Sequence, residues 1–273
     1  MGVSTWALAA RPKTWIASIS PVLIGTSCAL KEQRIDWILF FFTLITALGI
    51  QITTNFANDY FDFIKGADTK NRKGPLRVTQ AGLVSLSQMR QLIIGALLVT
   101  MCTGLVLTLH GGWMIGALLA ISLLLAIGYT GGPFPLAYLG LGEVFVLLFF
   151  GIAAGLGTYY LQTGEVSKEI LIASIGPGAL STALLILNNL RDVEEDRMAG
   201  KRTLVVRFGT LFGEIEYHFM LLLSLAPIAY FIPNNPAMGL TCASFLLLLR
   251  SSNRFASLGK LLWFYTLLFC ILR

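Results

Sequence analysis

The run Trp37-Ile38-Leu39-Phe40-Phe41-Phe42 continues to Asn55-Phe56-Ala57 without a charged residue and then ends on Asn58-Asp59-Tyr60-Phe61-Asp62. Its reading decides the fold. An apolar stretch of about 20 residues is what a helix needs to cross a bilayer. Carboxylates at its end are costly beside hydrocarbon unless they are paired or bound to a cation, so an acidic cluster there marks a functional site. A second cluster, Asp192-Val193-Glu194-Glu195-Asp196, follows another apolar run. With Asp68, the two clusters hold seven of the fourteen acids in a chain that is 56% hydrophobic.

The rest of the chain supports a membrane setting. Charged residues are only 12% of it, and the mean hydropathy of +0.76 lies outside the range of soluble globular proteins. Apolar runs recur at about 14–30, 37–57, 91–109, 113–128, 141–161, 170–190, 217–232, 237–249 and 258–272. These predict an all-α integral membrane bundle of about nine transmembrane helices forming one domain over 1–273, with eight helices as the alternative. The first run reads as a retained span rather than a cleaved leader. With the N-terminus in the cytoplasm, sixteen Lys and Arg fall on that side and four (Lys31, Arg34, Lys168, Arg273) on the other. That asymmetry follows the positive-inside rule and puts both acidic clusters at the cytoplasmic face. The net charge of +6 is then explained by topology and contact with anionic lipid, without nucleic acid as a partner. Cys28, Cys102, Cys242 and Cys270 show no CxxC spacing and read as small buried hydrophobes. Two histidines, His110 and His218, do not make a zinc site.

Two loops, about 59–89 and 191–216, are long and charged while the others are short. Each opens on an acidic cluster and continues into basic residues. Asn58 and Asp62 share a helix face, as do Asp192 and Asp196, and Asn55, Asn188 and Asn189 lie one turn earlier. Asp59 is turned about 100° away from the first stripe. Oxygen ligands without His or thiolate suit Mg²⁺, which commonly bridges carboxylates to substrate phosphates. Asn58, Asp62, Asp192 and Asp196 are the expected ligands, with Asp68 a further metal candidate and Asp59 and Glu195 secondary ones. Lys65, Lys73, Arg72 and Arg77 after the first cluster, and Lys201 and Arg202 after the second, suit a diphosphate whose charge must be neutralised as it leaves. Solvated acids and topological positive charge are the competing readings of the same residues. A neutral turn, Tyr129-Thr130-Gly131-Gly132-Pro133-Phe134-Pro135-Leu136-Ala137-Tyr138, lies on the same side, followed by Glu143 at a membrane boundary. Gln51, Thr53 and Thr54 read as packing residues. A secondary transporter would also carry intramembrane acids, but near the midplane and between broken helices.

The ordered motifs resemble the UbiA superfamily of membrane aromatic prenyltransferases, and within it the 1,4-dihydroxy-2-naphthoate branch. They are Ala10-Arg11-Pro12-Lys13-Thr14; Asn58 to Asp62 with Gly66 and Asp68; Gly74-Pro75-Leu76-Arg77-Val78-Thr79-Gln80-Ala81-Gly82-Leu83; Tyr129 to Pro133 with Gly140-Leu141-Gly142-Glu143; and Asn188-Asn189-Leu190-Arg191-Asp192 with Asp196 and Gly200-Lys201-Arg202-Thr203-Leu204. The resemblance implies helices around a central cavity open to lipid and to the cytoplasmic side. It further implies Mg²⁺, a polyprenyl diphosphate donor, an aromatic acid acceptor and a place in the bacterial inner membrane. Arg11, Lys13 and Arg77 are the candidates for holding the acceptor carboxylate, and Tyr60, Tyr129 and Tyr138 for shielding a carbocation. The superfamily spaces a third acid four residues beyond Asp62, where this chain has Gly66, and the acid comes at Asp68. Trp15-Ile16 stands where the branch more often has Leu-Pro. Other acceptors compatible with the superfamily are 4-hydroxybenzoate, an isomeric dihydroxynaphthoate, homogentisate and a tetrapyrrole.

Overall fold

The computed structural model describes residues 3–32, 35–67, 73–231, 233 and 254–272. The described residues are helical and contain no strand. Helix α1 (Val3–Ala10) leads through a turn at Pro12–Thr14 into α2 (Trp15–Leu30), α3 (Trp37–Ile64) and α4 (Leu86–Gly128). A short α5 (Leu136–Leu139) precedes α6 (Gly142–Leu147), which passes through a π-helical turn at Leu148–Ala153 into α7 (Ala154–Thr163). Then come α8 (Lys168–Arg191), α9 (Val193–Met198), α10 (Leu204–Phe208), α11 (Thr210–Leu223), α12 (Ala226–Phe231) and α13 (Arg254–Leu272). Six helical stretches among the described residues are long and apolar enough to cross a membrane. The expected run 237–249 lies outside the described residues, so a count of nine rests on the sequence for that segment.

Helix α4 holds two of the expected runs. It is broken at Gly112, whose φ of 75° and ψ of −168° are not helical. A Cβ on Gly116 would meet Thr108 at 2.8 Å, and one on Gly104 would meet Leu119 at 3.2 Å. Residues 15 apart on a straight helix stand about 22 Å apart, so the chain folds back at Gly112 into a helical hairpin. A side chain at φ of 75° would be strained, and glycine removes that cost. The outer faces of this hairpin carry exposed Leu98, Leu105, Leu109, Trp113 and Leu124, as lipid contact requires. Cys102 lies on the same exposed surface, contrary to the expected burial of all four cysteines. Cys28 is buried and Cys270 half-buried, and Cys242 is outside the described residues.

Helix α8 is the centre of the bundle. Its apolar window is 72% buried, against 22–39% for the other spans. Ile170, Ala173, Leu180, Ala183 and Ile186 have no exposure and pack with Ile24, Tyr159, Leu261 and Phe269 from α2, α7 and α13. Lipid supplies no hydrophobic force between helices, so close backbone approach through small residues does this work. A Cβ on Gly151 would lie 2.7 Å from Gly178 Cα and from the Ser174 carbonyl, and one on Gly155 would lie 2.1 Å from Ser174 Oγ. Gly151→Val should therefore destabilise the protein by about 1–3 kcal/mol, the usual cost of overpacking. Gly95→Ala, at a helical site with nothing within 4 Å, should be neutral or slightly stabilising. Thermal unfolding in detergent distinguishes the two variants.

Candidate active site

The first acidic stripe leaves the bundle at the end of α3. Asp59 and Asp62 are both 1% exposed, but they do different work. The Asp59 carboxylate accepts the backbone N–H groups of Val78 and Thr79, each at 3.1 Å. It is an anchor for the loop that follows, each of its oxygens holding one backbone N–H. With Val78 and Thr79 fixed, the neighbouring Arg77 is set against Asp62: its Nη2 lies 3.2 Å from Asp62 Oδ2. Asp62 Oδ2 also faces Lys201 Nζ at 3.3 Å, and its Oδ1 accepts from the Tyr138 hydroxyl at 3.2 Å. Asn55, one turn earlier, donates to the Ala10 carbonyl at 3.0 Å and to Thr14 Oγ1 at 3.1 Å. Asn55 thus fastens the N-terminal turn to α3 and extends the stripe only in position. Arg11 in that turn takes φ of 51°, a left-handed conformation uncommon for a residue with a side chain, and lines the cavity beside Lys13.

The second stripe lies across a break. Asp192 ends α8 and begins α9 with φ of −97° and ψ of 10°, yet the Asp196 N–H still reaches the Asp192 carbonyl at 2.8 Å. Both residues are 8% exposed and line the same cavity as Asn58 and Asp62. Lys201 joins the two stripes, lying 3.4 Å from Asp196 Oδ1 as well as 3.3 Å from Asp62. Asp192 is gripped by its neighbour Arg191 through Nε at 2.6 Å and Nη2 at 2.7 Å. That bidentate pair has no signal in the sequence beyond adjacency. Glu195 accepts the Lys73 backbone N–H at 2.7 Å, tying the two charged loops together.

The neutral turn after α4 closes one side. Asn58 accepts from Thr130 Oγ1 at 2.9 Å, and Lys65 donates to the Thr130 carbonyl and lies 4.3 Å from the Tyr138 ring centroid. Lys201 stands 5.4 Å from the same ring. Burial lowers the Lys65 pKa, and Lys201 lowers it further, against the pull of Asp62. Burial raises the Asp196 pKa; Lys201 opposes this, while Asp192 and Asp62 add to it. Tyr129 is pushed well up by burial, with Glu143, Asp196 and Asp62 adding to the effect. A charged pocket crowded with acids under low solvation favours an incoming cation.

Of the expected diphosphate ligands, Arg77 and Lys201 line the cavity. Lys73 and Arg202 are exposed, Lys65 lies against Tyr138, and Asp68 and Arg72 fall outside the described residues. Among the described residues, no three of His, Cys, Asp and Glu are gathered closely enough to ligate one ion. The oxygen-only donor set still fits Mg²⁺, and the lysine between Asp62 and Asp196 marks where positive charge is held. The polar cavity has a volume of about 650 Å³. An apolar chamber of about 290 Å³ adjoins it, and the two share Arg11, Lys13, Asn58, Tyr129, Asn188 and Phe255 as walls. The chamber reaches Thr43 on α3 and Leu107 and Ile115 beside the hairpin fold. Asn58 to Thr43 is about 22 Å along the helix. The π-helical turn contributes Phe149, Phe150 and Ala153 to its wall.

The described residues thus form an all-helical bundle in which a charged cavity adjoins an apolar chamber. The UbiA prenyltransferase family profile matches residues 18–270, and the chain belongs to that family. It is 38% identical to the 1,4-dihydroxy-2-naphthoate octaprenyltransferase of Haemophilus influenzae over 240 residues, 82% of this chain and 75% of that one. It is 39% identical over 222 residues to the protein of the same name in Mycobacterium tuberculosis, covering 79% and 74% of the two chains. The fold is similar to that of a UbiA homolog from Archaeoglobus fulgidus solved with GPP and Mg²⁺, with a TM-score of 0.64, 14% identity and coverage of 98% of this chain and 86% of that one.

Asp59→Ala should leave two buried N–H groups unpaired and cost about 1–3 kcal/mol for each group left so. The expected result is a lower unfolding temperature and faster proteolytic cleavage in the loop near Arg77, both measurable in detergent.

Proposed function

We propose that this protein transfers a polyprenyl group from a polyprenyl diphosphate to 1,4-dihydroxy-2-naphthoate, releasing diphosphate and CO₂ and giving demethylmenaquinol. The observation that carries the reading is the meeting of both acidic stripes at Lys201, with Arg77 beside Asp62, next to an apolar chamber. Charge is neutralised at one end of this space and hydrocarbon is sheltered at the other. The names of the similar bacterial enzymes support the choice of acceptor. The acids stand at helix ends and run on into basic loops, which speaks against a transport site between broken helices.

In this reading Asn58, Asp62, Asp192 and Asp196 would hold Mg²⁺, with Asp68 as a further candidate, and the bound ion supplies positive charge to the departing diphosphate. Arg77 and Lys201 add donors at the same place, and Lys65, Lys73, Arg72 and Arg202 would supplement them. The C–O bond of the donor breaks with its electron pair going to diphosphate, leaving an allylic cation in the chamber. Tyr129, a wall of both spaces, offers a ring to that cation, whereas the Tyr138 ring is taken up by Lys65 and Lys201. The electron-rich ring attacks, a C–C bond forms, and the carboxylate leaves as CO₂ while its bonding pair restores aromaticity. Arg11 and Lys13, which line both spaces, would hold the carboxylate until then. The charge asymmetry supports a cytoplasmic N-terminus and a cytoplasmic active-site face in a bacterial inner membrane.

The test is diphosphate release by purified protein given a polyprenyl diphosphate and the naphthoate. Chelation of divalent cations should abolish it, and Asp62→Asn and Asp192→Asn should each lower turnover at least about 100-fold, the scale of a lost transition-state charge contact. Near-normal turnover in both variants would sink the assignment. Parallel assays with 4-hydroxybenzoate and homogentisate identify the acceptor directly.

A further inference from the structure

One carboxylate of the polar cavity is not used by the diphosphate end. Glu143 opens α6 and is 4% exposed. Its Oε1 accepts from Asn189 Nδ2 at 2.7 Å, its own backbone N–H also donates to the carboxylate, and the side chain lines the polar cavity. Asp62, Asp192 and Asp196 each face a lysine or arginine within 3.4 Å, whereas Glu143 makes no ion pair among the described residues. Its setting is tight. A Cβ on the adjacent Gly142 would come within 2.9 Å of the Tyr129 hydroxyl, and Tyr129 walls both the polar cavity and the apolar chamber. Glu143 therefore stands near the junction of the two spaces, with two neutral donors and, among the described residues, no paired cation.

A buried carboxylate in that condition retains an unmet demand for a donor. The two substrates differ sharply in what they can offer. A diphosphate is an anion without donors and is repelled. A prenyl chain is apolar. The aromatic acceptor alone carries hydroxyl groups. We propose that Glu143 accepts a hydrogen bond from a ring hydroxyl of the acceptor, fixing which ring carbon faces the allylic carbon. This assignment rests on the reaction proposed above. The bond also pushes electron density into the ring, and it strengthens as positive charge builds there during C–C bond formation, so the transition state gains more from it than the ground state. The hydroxyl keeps its proton throughout, and the departing CO₂ leaves its electron pair to the ring.

The competing role is a mechanical one, a bolt between α6 and α8 through Asn189. Glu143→Gln separates the two, because a glutamine of the same size still accepts from Asn189. The expected result is a fall of about 10- to 100-fold in kcat/KM for the acceptor, the range for a hydrogen bond to a charged group, with the donor KM and the unfolding temperature unchanged. Mono-O-methyl ethers of the acceptor give a second readout. Wild type should reject one of the two ethers strongly, and Glu143→Gln should lose that discrimination. Acceptor kinetics in the glutamine variant equal to wild type, or no discrimination between ethers by wild type, overturns the assignment while leaving the reaction intact. Failure of wild type to turn over the naphthoate at all would overturn the reaction and this assignment with it.

Discussion

The structure depends on one buried carboxylate. Asp62 is 1% exposed at the end of a membrane-spanning helix, where an ionised group cannot remain without partners. Three groups meet it: Arg77 from the loop after α3, Tyr138 from the turn after α4, and Lys201 from beyond α9. These come from three separate parts of the chain, with sequence separations of 15, 76 and 139 residues. Satisfying one acid therefore assembles one end of the bundle. Removing a partner from such a buried pair typically costs about 3–5 kcal/mol, so folding and site formation are the same event there.

The membrane part provides the complementary half. Helix α8 is enclosed on most sides by α2, α7 and α13, and glycines at 151, 155 and 178 bring its backbone close to the segment from α6 to α7. That rigid centre carries Asn188, Asn189 and Arg191 to the cavity on consecutive faces of its last turn. Helix α3 does the same for Asn58 and Asp62. The hairpin at Gly112 and the π-helical turn at Leu148–Ala153 shape the apolar chamber beneath. Irregular backbone of the latter kind is often retained at functional sites.

Hydropathy made the spans legible because lipid imposes a one-dimensional rule: an apolar run long enough to cross becomes a helix. The stripes were legible for a similar reason, since four residues on a helix return a side chain to the same face. Even the rotation of Asp59 away from Asn58 and Asp62 had a consequence, because it aims that carboxylate at the loop backbone. The cross-bundle pairings were not legible. Nothing in the local pattern says that Lys201 reaches Asp62, that Arg191 closes on Asp192 or that Asn189 meets Glu143. Such partners are set by how helices pack, and in lipid that packing is governed by shape and small residues rather than by a hydrophobic pattern. Asn55 shows the limit from the other side. It lies on the expected stripe, yet its amide is taken up by Ala10 and Thr14, contacts that only the folded N-terminal turn supplies.

The central claim is that two acidic motifs far apart in sequence form a single cation-dependent diphosphate site. Equilibrium binding of a non-hydrolysable prenyl thiolodiphosphate, titrated with and without Mg²⁺, tests it most directly because no acceptor or turnover is involved. The account predicts binding that requires Mg²⁺ and weakens strongly in both Asp62→Asn and Asp192→Asn. Binding that is unaffected by chelation, or that survives loss of either aspartate, would contradict it.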